Sequence, residues 1–309
     1  MQKIVPHLWF NKEAVEAAEF YVAAFGSTGS PQAGAGSKIT HKALLRNTPS
    51  GDCDIVSFDL AGYSFMGISA GPHFKLNPSV SFMLNFDPSK DSDARKNLDA
   101  LWEKLSDGGE PLMPIDKYPF SERYGWIKDK FGVTWQLILT KPEGEPRPFI
   151  IPSFMFTGDI TGKADEAIDF YVSIFKDSKR GMTAPYPEGA APEKSAKIMF
   201  AEFMLEGQWL AAMDSGHMHK FGFSEAISLL VRCKDQKEID YYWQKLSAVP
   251  ESEQCGWLKD KYGLSWQVSP VAMDKMLQGD QKKIDRVMEA FLKMKKVDLA
   301  ALQKAYEGT

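Results

Sequence analysis

Residues 125–136 read GWIKDKFGVTWQ, and residues 256–267 repeat this stretch as GWLKDKYGLSWQ. Eight of the twelve aligned positions are identical, including the tryptophans and the final glutamine. The two stretches lie 131 residues apart, which is far longer than the repeat unit of a helical or β solenoid. The sequence therefore predicts a duplicated domain rather than a repeat array.

The duplication extends upstream from this stretch. FYVAAF at residues 20–25 returns as FYVSIF at residues 170–175, each within a segment whose small and aromatic residues recur at helical spacing. Apolar segments that alternate around a glycine-containing turn, at residues 61–62 and 206–207, predict hairpins. A further strand, a helix with an apolar stripe and a final hairpin follow in each copy. Each copy is therefore predicted to run β-α-β-β-β twice, which makes the fold class α+β.

Proline, glycine and charged residues mark the boundary between the copies. Residues 141–148, KPEGEPRP, have the composition of a linker and cannot form a core. We therefore expect a first domain at residues 1–142, a linker at 143–148, a second domain at 149–270 and a C-terminal helical extension at 271–309.

The extension has no counterpart in the first copy. Its apolar residues recur at helical spacing, and Asp298 is placed to cap a short last helix. Basic amphipathic helices also bind calmodulin or membrane surfaces, but the acidic Asp285 and Glu289 argue against these alternatives. We expect the extension to pack on a sheet through Ile284, Val287, Met288, Phe291 and Leu292.

Composition limits the classes of partner. The formal net charge is −4, with basic and acidic residues interspersed, so no nucleic-acid surface is predicted. No apolar run approaches the roughly 20 residues of a membrane helix, and the start MQKIVPHLWF lacks the pattern of a secretory signal. Cys53, Cys233 and Cys255 have no CxxC spacing, which is typical of reduced packing residues. We therefore expect a cytoplasmic protein without a nucleic-acid or membrane partner.

Several longer stretches resemble a known family. Residues 235–247 (DQKEIDYYWQKLS), 254–267 (QCGWLKDKYGLSWQ) and 285–306 (DRVMEAFLKMKKVDLAALQKAY), with a strand running into WF and the FYVxxF helix, resemble the PhnB-like family. This family, often labelled a 3-demethylubiquinone-9 3-methyltransferase domain, belongs to the vicinal oxygen chelate superfamily of glyoxalases, bleomycin-resistance proteins and extradiol dioxygenases. The second copy and the extension match along nearly their whole length, and the first copy matches more loosely. The resemblance implies two tandem glyoxalase-like domains of paired βαβββ modules, whose curled sheets form concave clefts.

The resemblance also implies where a ligand site lies. Metal-dependent members take ligands, typically His and Glu, from the first strand, the strand that closes the first module, the first strand of the second module and the last strand. Because serine and glutamine cannot offset the lost hydration of a divalent cation, we expect no intact set of four metal ligands. The matching positions are His7, Ser69, Ser81 and Gln136 in the first copy, and Ser153, Asp214, Ser228 and Gln267 in the second.

A divalent metal in a mixed site stays open as an alternative. Clefts in this superfamily also assemble across two domains, so His7 can meet residues of the other copy. The densest group of possible ligands is Asp214 with His217 and His219, for which a solvated loop is the other interpretation. Strand tryptophans can stack on an aromatic ligand although most are expected in the core; Trp9 and Trp209 are the two that we assign to the cleft.

The residues and the family resemblance together suggest three functions. The first is a small-molecule enzyme, with or without a metal, that uses the cleft around His7, Ser81 and Gln136 or its twin; no catalytic residue is assigned. The second is a metal-free protein that sequesters a small aromatic or glycosylated compound, as bleomycin-resistance proteins do. The third, methyl transfer, normally needs a Gly-rich turn for a nucleotide-like cofactor, and the sequence has none in the required context.

Single-domain relatives resemble half-sites that pair as dimers, so we expect a pseudo-dimeric monomer, with a homodimer through the C-terminal helices as the alternative. Residues 107–122 are about ten residues longer than their counterpart. They are expected to form either a lid or a surface insertion.

Overall fold

The computed structural model describes residues 2–141 and 145–308. The expected end of the first domain at residue 142 and the first linker residues, 143 and 144, lie outside the described residues. The first copy forms β1 (Ile4–Phe10), α1 (Ala14–Gly26), β2 (Lys38–Thr48), β3 (Gly51–Leu60), β4 (Tyr63–Ser69), β5 (Val80–Phe86), α2 (Ala94–Ser106), β6 (Glu110–Tyr118), β7 (Ser121–Lys128) and β8 (Thr134–Leu139).

The second copy repeats this order and is followed by the extension. Its elements are β9 (Ile150–Phe156), α3 (Ala164–Ile174), β10 (Lys179–Pro185), β11 (Ile198–Leu205), β12 (Gln208–Asp214), β13 (Ile227–Cys233), α4 (Gln236–Leu246), β14 (Trp257–Lys259) and β15 (Ser265–Pro270). The extension forms α5 (Ala272–Met276), α6 (Gln281–Phe291) and α7 (Leu299–Glu307). In the part of the chain that the structure describes, no helix is both long and apolar enough to cross a membrane.

The β-α-β-β-β order is confirmed for both modules of the first copy and the first module of the second. The last module has two strands after its helix, because a short 3-10 turn, Pro250–Ser252, stands where the first copy has β6. Residues 107–122, expected as a lid or a surface insertion, instead supply β6, which pairs antiparallel with β7. The additional length is therefore used to add an edge strand to sheet B.

The strands form two sheets, and each sheet combines the two copies. Sheet A has seven strands in the order β14-β15-β13-β1-β4-β3-β2, and sheet B has eight in the order β10-β11-β12-β9-β5-β8-β7-β6. The copies join where β1 runs antiparallel to β13 and where β5 runs antiparallel to β9. One chain therefore supplies both halves of each sheet.

Helices α1 to α4 pack on one face of the sheets and create a continuous apolar core. Successive strand residues point to opposite faces, so on β1 the core takes Ile4, Leu8 and Phe10 while His7 and Trp9 face the other way. We call the face opposite α1 to α4 cleft A in sheet A and cleft B in sheet B. The fully buried aromatic residues lie on the core side, including Tyr21, Phe25, Trp135, Tyr171 and Trp266.

A buried aspartate explains why the repeated stretch is so similar in the two copies. Asp129 Oδ1 accepts hydrogen bonds from the backbone N–H of Phe131 (2.9 Å) and Val133 (3.1 Å), and its Oδ2 accepts one from Trp135 Nε1 (2.8 Å). The carboxylate thus closes the turn between two strands and orients the core tryptophan. Asp260 does the same with Tyr262 N, Leu264 N and Trp266 Nε1, and also accepts from Tyr171 Oη at 2.8 Å.

The C-terminal extension packs on sheet A, which confirms the expected role of its apolar face. Ile284, Val287 and Met288 of α6 are buried, and α6 contacts β2. The side chain of Asp298 accepts a hydrogen bond from Ala301 N, so it caps α7 as the sequence predicts. The extension is therefore an integral part of the fold.

Candidate functional site

His7 belongs to a site that both copies build. In the antiparallel pair of β1 and β13, His7 lies opposite Ser228, whose Oγ accepts a hydrogen bond of 2.9 Å from Gln267 Nε2. The Trp257 ring is perpendicular to the imidazole, with 5.7 Å between ring centroids. The expected grouping of His7 with Ser81 and Gln136 is not what the structure shows, because β1 pairs with β13 and not with β5.

Cleft B holds the equivalent arrangement with the copies exchanged. Ser153 on β9 lies opposite Ser81 on β5, and Ser81 Oγ accepts a hydrogen bond of 2.7 Å from Gln136 Nε2. Tyr124 Oη donates to Gln136 Oε1 at 2.7 Å. Trp126 lies opposite Gln136, as Trp257 lies opposite Gln267 in cleft A. The two clefts thus share a Ser–Gln pair and a tryptophan, and they differ in having His7 or Ser153.

The electrostatic state of His7 follows from its burial. Its side chain is only 3% exposed, and Nδ1 has no hydrogen-bond partner in the described structure. Removal from water lowers the pKa of His7 to about 4, since nothing nearby compensates the charged form. The imidazole is therefore neutral at pH 7 and offers one donor and one acceptor nitrogen.

Ser69 and Asp214 lie on the core face and not in the clefts. Ser69 is paired with Phe10 and Asp214 with Phe156, and both phenylalanines belong to the core. Ser69 Oγ accepts a hydrogen bond from Ala14 N at the start of α1 (3.1 Å). The structure therefore does not bring these two residues together with His7 or Ser153.

Asp214 is fully engaged in holding the second copy together. Oδ1 accepts hydrogen bonds from Gly162 N (2.8 Å) and Ala164 N (3.1 Å) at the start of α3. Oδ2 accepts from Lys197 N (3.0 Å) and Ile198 N (2.9 Å) at the start of β11. Four backbone donors satisfy this buried carboxylate, so it is not free to bind a metal or a ligand.

His217 and His219 lie in the loop after β12. His217 is exposed, and His219 stacks on Phe221 with 4.7 Å between ring centroids. Partial burial and the nearby His217 lower the pKa of His219. Neither ring approaches a group of ligands, since among residues 2–141 and 145–308 no three or more His, Cys, Asp or Glu side chains are placed to hold a metal ion.

The donor groups in the clefts do not fit the divalent metal that the superfamily implies. Around His7 they are the Ser228 hydroxyl and the Gln267 amide, with Met66 as the cleft-facing neighbour on β4. The corresponding neighbour of Ser153 on β12 is Ala211. Neutral oxygens and a thioether beside one imidazole do not compensate a divalent cation.

The two tryptophans assigned to the cleft have different surroundings. Trp9 contacts Phe74 and Trp257 edge-on, with centroids 5.0 and 6.1 Å apart, and its Nε1 donates to Gly71 O at 2.8 Å. Trp209 lies on cleft B, but the Arg147 guanidinium stands 3.8 Å from its ring centroid. The ring face of Trp209 is therefore already covered by a residue of the expected linker.

Tyr124 is the cleft residue that the sequence reasoning missed. It belongs to the same strand as Trp126 and stands two positions before it, so both side chains point to the same face. That spacing of two was the available signal. Its hydroxyl fixes the orientation of the Gln136 amide, which then donates to Ser81.

The architecture is a glyoxalase-like fold built from two tandem copies. A family model described as 3-demethylubiquinone-9 3-methyltransferase matches residues 2–138 and 148–269, and the chain belongs to this family. A PhnB protein from Bacillus cereus is 31% identical over 45% of this chain and 100% of its own, with a TM-score of 0.38. Glyoxalase I from Zea mays covers 89% of this chain and 96% of its own at 12% identity, with a TM-score of 0.51, a likeness in fold alone. No curated protein matches the chain.

The methyl donor that the family description implies does not fit the strand-to-helix connections. Of the connections that enter α1 to α4, the one with glycines spans residues 157–163. The amides of Gly162 and Ala164, which a phosphate or carboxylate of a cofactor would use, donate to Asp214 instead. We therefore derive no chemistry through such a cofactor.

Proposed function

We propose that the chain is a metal-free binding protein for a small, neutral, aromatic molecule that is held in cleft B. The observation that carries this proposal is that Ser153 Oγ and Trp126 Nε1 are both buried without a hydrogen-bond partner. Nearly all buried polar groups in proteins are bonded. A ligand with acceptor oxygens, such as a carbonyl compound, would satisfy both donors.

The positions of these donors suit a ring-sized molecule. Ser153, Ser81, Gln136 and Trp126 stand on the four neighbouring strands β9, β5, β8 and β7. Strands are spaced by about 4.8 Å, so the outer two are roughly 14 Å apart. A fused aromatic ring system with an oxygen at each end matches this span.

The lining of cleft B favours a neutral ligand. Met83, Ile151 and Ala211 form an apolar surface there, and thioether sulfur makes favourable contacts with aromatic rings. The nearby guanidinium of Arg147 is paired with Glu202, whose carboxylate accepts from Nε (3.1 Å) and Nη2 (2.8 Å). Since this charge is already compensated, an ionic ligand would gain little.

The same geometry favours binding over acid–base catalysis. A general base works best when its pKa lies near the operating pH. The pKa of His7 is lowered to about 4 by burial, and cleft B has a serine at the equivalent position. A bound molecule would therefore meet hydrogen-bonding groups rather than a poised proton acceptor.

We also propose that the protein is cytoplasmic and that it is a pseudo-dimeric monomer. All three cysteines are buried and unpaired, which suits a reducing compartment such as the cytoplasm. Both junctions between the copies are made within one chain, which supports a pseudo-dimeric monomer.

A fluorescence titration with Nile red, a neutral aromatic dye with a carbonyl acceptor, tests the proposal. Trp126→Phe removes the N–H and keeps an aromatic ring, so we expect the Kd to rise about 2- to 10-fold through the lost hydrogen bond. Trp257→Phe at the equivalent position of cleft A is the matched control and should leave the Kd unchanged. Equal effects of the two variants, abolition of binding by EDTA, or conversion of the bound compound to a product would contradict the proposal.

A further inference from the structure

The extension is attached to both edges of sheet A. At the β2 edge, His41 Nε2 lies 3.2 Å from Leu277 O, and Gln281 Nε2 donates to Leu44 O at 3.2 Å. At the β14 end of the sheet, Cys255 N donates to Met294 O at 2.8 Å. Because β2 and β14 are the two edge strands, the chain between these attachments crosses the sheet.

The crossing lies on the cleft side. Asp274 of α5 forms an ion pair with Arg232, which stands on the cleft face of β13 since its neighbours Val231 and Cys233 are in the core. His41 lies opposite Ser57, which in turn lies opposite Met66, the cleft-facing neighbour of His7. The extension therefore covers the sheet face that contains His7.

Burial near the β2 edge agrees with this cover. Cys53 is 1% exposed and Leu45 is 5% exposed, and both point to the cleft side because Val56 and Phe58 on β3 belong to the core side. The buried apolar face of α6 packs at this edge, where α6 contacts β2. By contrast, the cleft-facing residues Phe200, Glu202 and Met204 of β11, the counterpart of β3 in sheet B, are only half-buried.

We propose that the C-terminal extension is a built-in cover that occupies cleft A, a cover that cleft B lacks. The duplication created two equivalent clefts, and the extension follows the second copy only. His7, the residue most similar to a superfamily metal ligand, is then sealed beneath the chain's own side chains. This proposal concerns the two clefts' accessibility and does not depend on the identity of a ligand.

The three cysteines report on the cover without an added probe. Cys53 lies under it, the backbone of Cys255 is one of its attachments, and Cys233 lies in the core of the second copy. In the full-length protein, alkylation by N-ethylmaleimide followed by mass spectrometry gives a rate for each thiol. We expect all three to react slowly in the wild type.

Val287→Asp places a charge on the fully buried face of α6 and should release the cover. We expect the alkylation rate of Cys53 to rise at least about tenfold while that of Cys233 stays constant, because local opening is independent of global unfolding. Glu289→Ala is the matched control, since it removes an exposed ion pair with Lys293 on the same helix, and should change neither rate.

Two outcomes would overturn the proposal. One is rapid alkylation of Cys53 in the wild type, and the other is an unchanged Cys53 rate in a folded Val287→Asp protein. If Val287→Asp unfolds the chain, Cys233 also reacts. The milder double variant Asp274→Ala with Gln281→Ala is then measured. A rise in the alkylation rate of Cys53 relative to that of Cys233 supports the proposal, and an unchanged ratio overturns it. Nile red titration is scored separately, so a failure of ligand binding in cleft B leaves this test intact.

Discussion

His7 of the first copy lies opposite Ser228 of the second copy in the antiparallel register of β1 and β13. The equivalent junction, β5 with β9, joins the copies in sheet B. Neither copy therefore has a complete sheet of its own, and the duplicated sequence folds as one structural unit. This has a direct consequence for how the chain unfolds.

We predict one cooperative unfolding transition for both copies. Leu8→Ala on β1 and Val231→Ala on β13 each remove a fully buried side chain, and such substitutions cost about 2 to 5 kcal/mol for leucine and somewhat less for valine. Each should shift the whole transition in scanning calorimetry, with equal calorimetric and van't Hoff enthalpies. Two transitions, each moved by only one of the substitutions, would show that the copies unfold independently.

Burial of His7 makes a contribution to stability that is lost in mild acid. Its pKa is lowered from 6.5 to about 4, so the unfolded chain binds a proton in a range where the folded chain does not. The contribution is fully present above pH 6.5 and is lost as the pH falls toward 4, by about 3 kcal/mol in total. In denaturant unfolding, the free energy of unfolding of His7→Leu relative to that of the wild type should therefore be higher at pH 4.5 than at pH 7.

The measurement has an internal control. His217 is exposed on its loop, so His217→Leu should keep the pH dependence of the wild type. If His7→Leu and His217→Leu gave the same change between pH 7 and pH 4.5, the neutral state of buried His7 would not be the cause.

Asp129 and Asp260 predict the opposite sign. Burial raises the pKa of each to about 6 despite the hydrogen bonds that each accepts. The folded chain then holds these protons more tightly than the unfolded chain, so their contribution is fully present below pH 3.8 and is lost as the pH rises through 6. A shift of about 2 pKa units corresponds to about 3 kcal/mol.

Asp260→Asn removes this titration. The cost of the substitution in the free energy of unfolding should therefore be larger at pH 4 than at pH 7, whatever the change in hydrogen bonding adds at both pH values. Asp159, exposed on a short 3-10 turn, provides the control variant Asp159→Asn. A cost that is independent of pH would mean that the buried carboxylate is not protonated near pH 6.

The sequence was sufficient to predict the modules but not their pairing. Alternation and helical spacing are local properties, so they predicted the strands and helices of each copy. Which edge β1 joins depends on the whole chain, and β1 is apolar enough on both faces to fit next to β5 or β13. The grouping of His7 with Ser228 and Gln267 therefore required the sheet order.

The assignment of Ser69 and Asp214 to the clefts failed for a related reason. Side chains alternate between the faces of a strand, so an offset of one residue moves a side chain to the opposite face. Ile68 and Met213, one position earlier on each strand, point to the cleft face, because they pair with Trp9 and Met155. A polar residue at a strand end gives no sign of which face it occupies until its partners are known.

Asp214 should be essential for stability and irrelevant to the clefts. Asp214→Ser, which introduces the residue type found at the equivalent position of the first copy, leaves several of the four backbone N–H groups without an acceptor. Each unsatisfied buried group costs about 1 to 3 kcal/mol, so we expect a loss of at least about 3 kcal/mol in the free energy of unfolding.

Ser69→Ala, which loses a single bond to Ala14 N, should cost about 1 kcal/mol, as the loss of a helix N-cap typically does. Under conditions where both variants are folded, their Kd for Nile red should equal that of the wild type, and a weakened Kd for Asp214→Ser alone would instead place this carboxylate in a binding site.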